Sequence, residues 1–221
     1  MRIKRIKTVI NRTDLPIASL LLRKRFVVKK KLFSSAECDK IIEYYTSQSY
    51  EQASVVNIEE STQNSIVSTT DDDARKGHVV FCDHKVPEMN FAFQKLYYSV
   101  LWANFGWSVF PLRFLQITEY DSETDGGYYK FHRDIIHNHN PQRIISSVTQ
   151  LSKREDYTGC NLIFQKNSGA PEIEQYLDQG DTIFFTAVEL HEVTPIKTGN
   201  RFSLTAWYEG PVLWENLPED Y

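Results

Sequence analysis

Cysteine is scarce in this chain, with three among 221 residues: Cys38, Cys82 and Cys160. Their number is odd and no pair has C-x-x-C spacing. That excludes a zinc knuckle and gives no disulfide framework. A reducing, cytoplasmic location is the expectation. No apolar run is long enough to span a bilayer. Ala18–Leu22 is too short for a secretory signal core, and Arg23, Lys24 and Arg25 follow it. Internal repeats and low-complexity tracts are also missing. Acid is nearly absent from the start: residues 1–31 hold eleven Lys and Arg against Asp14 alone. The remainder holds fourteen against twenty-eight acids, and the whole chain carries −4. The early cations alternate with Ile, Val and Leu, which fits a solvated strand and its flanks better than a nucleic-acid-binding block. No nucleic-acid or membrane partner is expected.

The composition suffices for a real core. Hydrophobic residues make up 41% and aromatic residues 13%. That suits one domain with β-rich packing or a lined pocket. Phe26–Leu32 reads as a short strand. Ser34 and Glu37 form a capping-box pattern that predicts a helix to about Thr46. Residues 47–76 are polar and read as long loops with at most one strand. Apolar spacing over 88–105 predicts a second helix that Gly106 stops. From Pro111 onward, β-branched and aromatic runs alternate with turn residues. Strands are expected near 112–120, 128–134, 143–151, 160–165, 181–187, 192–196 and 201–208. The fold class is α+β, mainly β: a sandwich, barrel or jelly roll.

KFHRDII, residues 130–136, places His132 and Asp134 two apart. On a strand, both side chains share one face. Taken alone, the pair is as readily a polar pair on a wet surface. His191 follows a hydrophobic strand and supplies a second imidazole. Two histidines and one carboxylate form a facial triad with open positions, which suits non-haem Fe(II). Arg201 follows ten residues later, among Phe202, Leu204 and Ala206. It would face the same cavity if the 197–200 stretch were a turn joining neighbouring strands. A guanidinium buried there without a partner would cost roughly 3–5 kcal/mol. A dicarboxylate matches its fork.

In these residues the chain resembles the 2-oxoglutarate- and Fe(II)-dependent dioxygenases, nearest to the prolyl 4-hydroxylase branch with its PKHD-type hydroxylases. The likeness runs through LQITEYDSETDGGYYKFHRD, RIISSVTQLSKREDYTGCNLIF and QGDTIFFTAVELHEVTPIKTGNRFSLTAWYEGP. It implies a double-stranded β-helix (jelly roll) over 111–213. Residues 1–110 would support that core, with N-terminal helices packed on one sheet, and 214–221 would form a tail, all in one structural unit. It implies Fe(II) on His132, Asp134 and His191, and 2-oxoglutarate with its far carboxylate on Arg201. Tyr120, Ser203, Gln150 and Thr205 would line the co-substrate pocket. Gln150 departs from relatives that carry a tyrosine there. Tyr129, His137 and Trp207 would lie toward the substrate. O2 is the second co-substrate and ascorbate an accessory. The implied reaction hydroxylates an unactivated C–H, on a prolyl residue of a peptide or protein, with 2-oxoglutarate going to succinate and CO2. A free amino acid or another small molecule is the alternative substrate.

Two other classes remain open. His137 and His139 extend the cluster to HRDIIHNHN, which could serve a zinc hydrolase. That leaves Arg201 unexplained. A jelly roll that only binds a ligand or partner is the non-enzymatic reading.

Overall fold

The computed structural model describes residues 26–56, 67–103, 105–124, 126–136, 141–165, 173–175 and 177–211. Strand β1 (Phe26–Lys29) leads to helix α1 (Ser35–Thr46). The capping box forms as the sequence predicts. The Glu37 N–H donates to the Ser34 hydroxyl, and the Glu37 carboxylate accepts from the Ser34 N–H at 2.8 Å. Short strands β2 (Glu51–Gln52), β3 (Val55–Val56), β4 (Ser68–Thr69) and β5 (Arg75–Lys76) follow, then β6 (His78–Asp83). Helix α2 spans Asn90–Ala103. The remaining strands are β7 (Phe114–Asp121), β8 (Tyr128–His132), β9 (Gln142–Gln150), β10 (Tyr157–Gly159), β11 (Leu162–Phe164), β12 (Ile173–Gln175), β13 (Thr182–Thr186), β14 (His191–Val193) and β15 (Ile196–Gly210).

Two antiparallel sheets carry the site. The major sheet runs β1-β13-β9-β15-β7-β6-β2, with β10 also paired to β15. The minor sheet runs β12-β11-β14-β8-β5. The expected jelly-roll class, with helices on one sheet, is what forms. Alternation along β15 sets the two faces of the major sheet. Leu204, Ala206 and Tyr208 join the cluster formed with Ile41 and Tyr45 of α1 and Leu96 and Val100 of α2. Arg201, Ser203, Thr205 and Trp207 fall on the opposite face. That inner side also carries Val148, Ile183 and Phe185, which pack on Leu162 and Phe164 of the minor sheet.

Four expectations are corrected. The stretch 197–200 is not a turn between strands: β15 runs through it, paired with β10 there. The strand expected at 192–196 is two elements, β14 and the start of β15. His191 and Arg201 therefore sit in different sheets. The strand expected to reach residue 134 ends at His132, so Asp134 lies two residues beyond it. β6 went unassigned in the sequence, and the described residues of the 47–76 stretch hold four two-residue strands where one was expected. No helix among the described residues is long and apolar enough to cross a membrane. Residues 1–25, His137, His139 and the 214–221 tail lie outside the described residues.

The turn before β13 ties β1 to the sheet. Asp181 is fully buried and accepts from the backbone N–H of Lys31 and of Asp178, both at 2.9 Å, and from Lys30 Nζ at 2.7 Å. Gly180 has φ +84°, and a Cβ there would meet the Phe33 carbonyl oxygen at 2.0 Å. Gly180→Ala should therefore lower stability by at least about 1 kcal/mol. Urea unfolding measures this, and an unchanged midpoint would contradict the packing of that turn.

Candidate active site

Strand pairing assembles the metal ligands. His191 on β14 stands directly opposite His132 on β8 in the antiparallel register. Asp134 follows the end of β8 where the chain bends. His132 Nε2 lies 3.6 Å from one Asp134 oxygen, and His191 Nε2 lies 3.7 Å from the other. One ligand atom from each residue lies within 4.8 Å of the others. Among the described residues no other His, Cys, Asp or Glu group could hold a metal.

The imidazoles are set for coordination. His132 Nδ1 lies 2.8 Å from the Lys130 carbonyl, and His191 Nδ1 lies 2.9 Å from the Glu189 carbonyl. A carbonyl only accepts, so each Nδ1 carries the hydrogen. Each Nε2 then keeps its lone pair and points at Asp134. Burial, then the neighbouring His132, pushes the His191 pKa down to about 4. It is thus neutral at pH 7, as a ligand must be. Burial pushes the Asp134 carboxyl upward, but positive charge on His191 and His132, when they are protonated, and the Ser146 hydroxyl outweigh it and hold it well below the usual range. A buried carboxylate faces two lone pairs here, and a divalent cation would satisfy all three. The donor set is two nitrogens and one oxygen with one side open, which fits Fe(II).

The major sheet supplies the second part. Arg201 is 2% exposed. Its Nε donates to Gln150 Oε1 at 3.0 Å, its Nη1 lies 3.9 Å from Cys160 Sγ, and its guanidinium is 5.8 Å from the Tyr120 ring centre. Arg201 and Tyr120 are register partners on β15 and β7. No carboxylate among the described residues pairs with it. Burial raises the Cys160 thiol and the Tyr120 phenol above their ordinary values, so neither supplies a counter-charge near pH 7. A buried guanidinium with one oxygen acceptor is a site for an anion from outside.

The other expected residues are spread around this cavity. Gln150 engages Arg201, and its own Nε2 donates to the Ser152 carbonyl at 2.9 Å. Ser203 and Thr205 share the Arg201 face of β15. Tyr129 stacks on His132, ring centres 3.4 Å apart. Trp207 lies at the far end of the same β15 face, against Phe114. Sequence reading missed three groups. Cys160 sits at the guanidinium. Arg75 stacks on Tyr129 at 4.6 Å, and Arg143 stacks on Trp207 at 4.2 Å. A charged residue opening the buried strand RIISSV is the signal that Arg143 gives. Arg75 gives none.

The imidazole and carboxylate shifts predict a pH response of the metal-free protein. Unfolded His titrates near 6.5 and unfolded Asp near 3.9, roughly. Between about pH 6.5 and 4 the unfolded chain gains a proton at His191 that the folded chain refuses. Stability should therefore fall over that window, by up to about 3 kcal/mol. Asp134 contributes stability above its unfolded pKa that is lost at still lower pH. Urea midpoints from pH 7 to 4.5 should drop more steeply in the parent than in His191→Gln. Parallel curves would contradict the shift.

Residues 115–209 match the family model of the 2OG-Fe(II) oxygenase superfamily. A PKHD-type hydroxylase of Pseudomonas putida KT2440 is 32% identical over 94 residues, covering 40% of this chain and 41% of the relative. The chain thus spans less than half the length of that relative. The crystal structure of a Pseudomonas putida prolyl-4-hydroxylase superposes with a TM-score of 0.65 at 15% identity, covering 89% of this chain and 97% of that one. A Trichoplax adhaerens prolyl hydroxylase, solved with a hypoxia-inducible-factor peptide fragment, gives 0.64 at 15% identity over 87% and 86%. The two structures share the fold, and the residues matched by the family model include His132, Asp134, His191 and Arg201. The likeness of this chain to the 2OG-Fe(II) oxygenase superfamily thus runs through residues 115–209, a little under half of its length.

Proposed function

We propose that the protein is an Fe(II)- and 2-oxoglutarate-dependent dioxygenase that hydroxylates an unactivated C–H bond. The observation that carries this is the pairing of a His–Asp–His cluster with a buried arginine that has no carboxylate partner. Iron with 2-oxoglutarate and O2 supplies the oxidising power: one oxygen atom enters the C–H bond, and the other ends in succinate as CO2 leaves. His132, Asp134 and His191 would hold the metal and leave one side open. Arg201 would take the far carboxylate, its fork oriented by Gln150 and backed by Tyr120. The two sheets wall the site, which limits water at the reacting centre.

A prolyl residue in a peptide or protein is the first substrate reading. The relatives' names support it: prolyl hydroxylases stand among the similar structures, one with a peptide bound. The zinc-hydrolase reading lacks support, because it leaves the unpaired Arg201 without a role. Ascorbate belongs to the proposal only as an accessory reductant.

O2-dependent release of succinate from 2-oxoglutarate tests the reading. His132→Ala and His191→Ala should release none. Arg201→Ala should need about 100-fold more 2-oxoglutarate, the loss of roughly 3 kcal/mol of charge-assisted pairing. Normal turnover by His191→Ala would refute the site.

A further inference from the structure

Arg201 stands at a break in the major sheet. On one side β15 pairs with β7 through residues 200–205, and Asn200 opposite Asp121 is the outermost pair. On the other side β15 pairs with β10 as far as Gly199 and with β9 only from Ser203. Residues 200–202 therefore have no strand opposite them on that side among the described residues. Gly199, just before them, is in the left-handed region at φ +76°. In a regular ladder, neighbours on both sides fix the direction of a side chain. Around Arg201 other bonds must do so.

Ser152, just past the end of β9, supplies them. The Phe202 N–H donates to the Ser152 hydroxyl at 2.7 Å. The Phe202 carbonyl accepts from the N–H of Leu151 at 3.1 Å and of Ser152 at 3.4 Å. The Ser152 carbonyl accepts from Gln150 Nε2 at 2.9 Å, and Gln150 Oε1 accepts from Arg201 Nε at 3.0 Å. These bonds close a ring that runs from the Arg201 side chain through Gln150, Ser152 and the Phe202 backbone to Arg201 again. Its side chains are shut off from solvent: Ser152 is 4% exposed, Gln150 1% and Arg201 2%. The ring also decides which end of the Gln150 amide meets the arginine. A carbonyl only accepts, so Nε2 turns to Ser152 and Oε1 to the guanidinium. Reversed, the amide would set a donor against a cation. The other flank of Arg201 is held separately. Asn200 Nδ2 donates to Glu119 Oε1 at 2.6 Å, and Glu119 Oε2 accepts from the Tyr45 hydroxyl of α1 at 2.6 Å.

We propose that Ser152 is a positioning residue for the co-substrate: it pins Phe202, orients Gln150, and so aims the Arg201 fork before any anion arrives. Ser152 acts only through these neighbours. The claim rests on the dioxygenase reading and adds how this chain holds its arginine. A donor fixed in advance needs no reordering on binding, so the benefit falls on the far carboxylate of 2-oxoglutarate. It does not extend to the metal end, because His132 and His191 belong to the minor sheet.

The test titrates anaerobic, Fe(II)-loaded protein with 2-oxoglutarate and with 2-oxobutyrate, which has the same 2-oxo acid end and no far carboxylate. Ser152→Ala should weaken 2-oxoglutarate binding about 10-fold, the scale of one net hydrogen bond. Its affinities for 2-oxobutyrate and for Fe(II) should match the parent. Damage that is merely structural would lower all three together. A second measurement needs no variant, and it decides the matter if Ser152→Ala does not fold. In nitrogen-15-labelled parent protein without co-substrate, the Arg201 Nε–H and the Phe202 amide should already exchange slowly with solvent. Unchanged 2-oxoglutarate affinity in Ser152→Ala, an equal loss for 2-oxobutyrate, or an Arg201 Nε–H that exchanges freely until 2-oxoglutarate is added would overturn the proposal alone. A parent that binds neither Fe(II) nor 2-oxoglutarate would overturn the dioxygenase reading and the proposal with it.

Discussion

The register between β14 and β8 is the constraint on which the site depends. Antiparallel pairing puts His191 opposite His132, and the bend after β8 brings Asp134 between their Nε2 atoms. A shift of one residue would turn one imidazole to the other face of the sheet. The register is itself held from both sides: β11 pairs with β14 through Phe164 and His191, and β5 pairs with β8 through Arg75 and Tyr129. Phe164 and Phe185 pack around the His191 ring with centroids 5.6 and 4.8 Å away. Carbonyl partners at both Nδ1 atoms then fix the tautomers. Fold and chemistry meet in that one pair of strands.

The major sheet contributes a different kind of constraint. Its outer face is committed to α1 and α2, down to the Tyr208 hydroxyl that donates to the Leu96 carbonyl at 3.3 Å. Because side chains alternate, this burial forces Arg201, Ser203, Thr205 and Trp207 inward. A cation on that face is costly unless something anionic meets it. Gln150 and Cys160 satisfy part of the Arg201 fork and leave the rest for a ligand. The stability of the helical layer and the presentation of the guanidinium are thus two consequences of one alternating pattern.

Much of this was legible in the sequence, for physical reasons. Helix α1 was readable because Ser34 and Glu37 form a local motif that needs no tertiary contact. The ligands were readable because a His-x-Asp pair, a later histidine and an arginine among apolar residues each conflict with simple burial. The continuity of β15 was hidden because Gly199-Asn200 reads as a turn. In the fold Gly199, at φ +76°, lets the Asp156–Tyr157 backbone approach, where a Cβ would meet the Asp156 oxygen at 2.0 Å. Arg75 and Arg143 were hidden because sheet pairing brings together residues far apart in the chain. Two-residue strands such as β2 to β5 carry no periodicity at all.

The most direct measurement is an anaerobic titration of the metal-free protein with Fe(II) and 2-oxoglutarate, followed in the visible spectrum. The account predicts a weak metal-to-ligand charge-transfer band that saturates with one metal per chain. The band should vanish in His191→Ala and require far more 2-oxoglutarate in Arg201→Ala. A protein that gives no band and instead holds zinc tightly at these residues would contradict it.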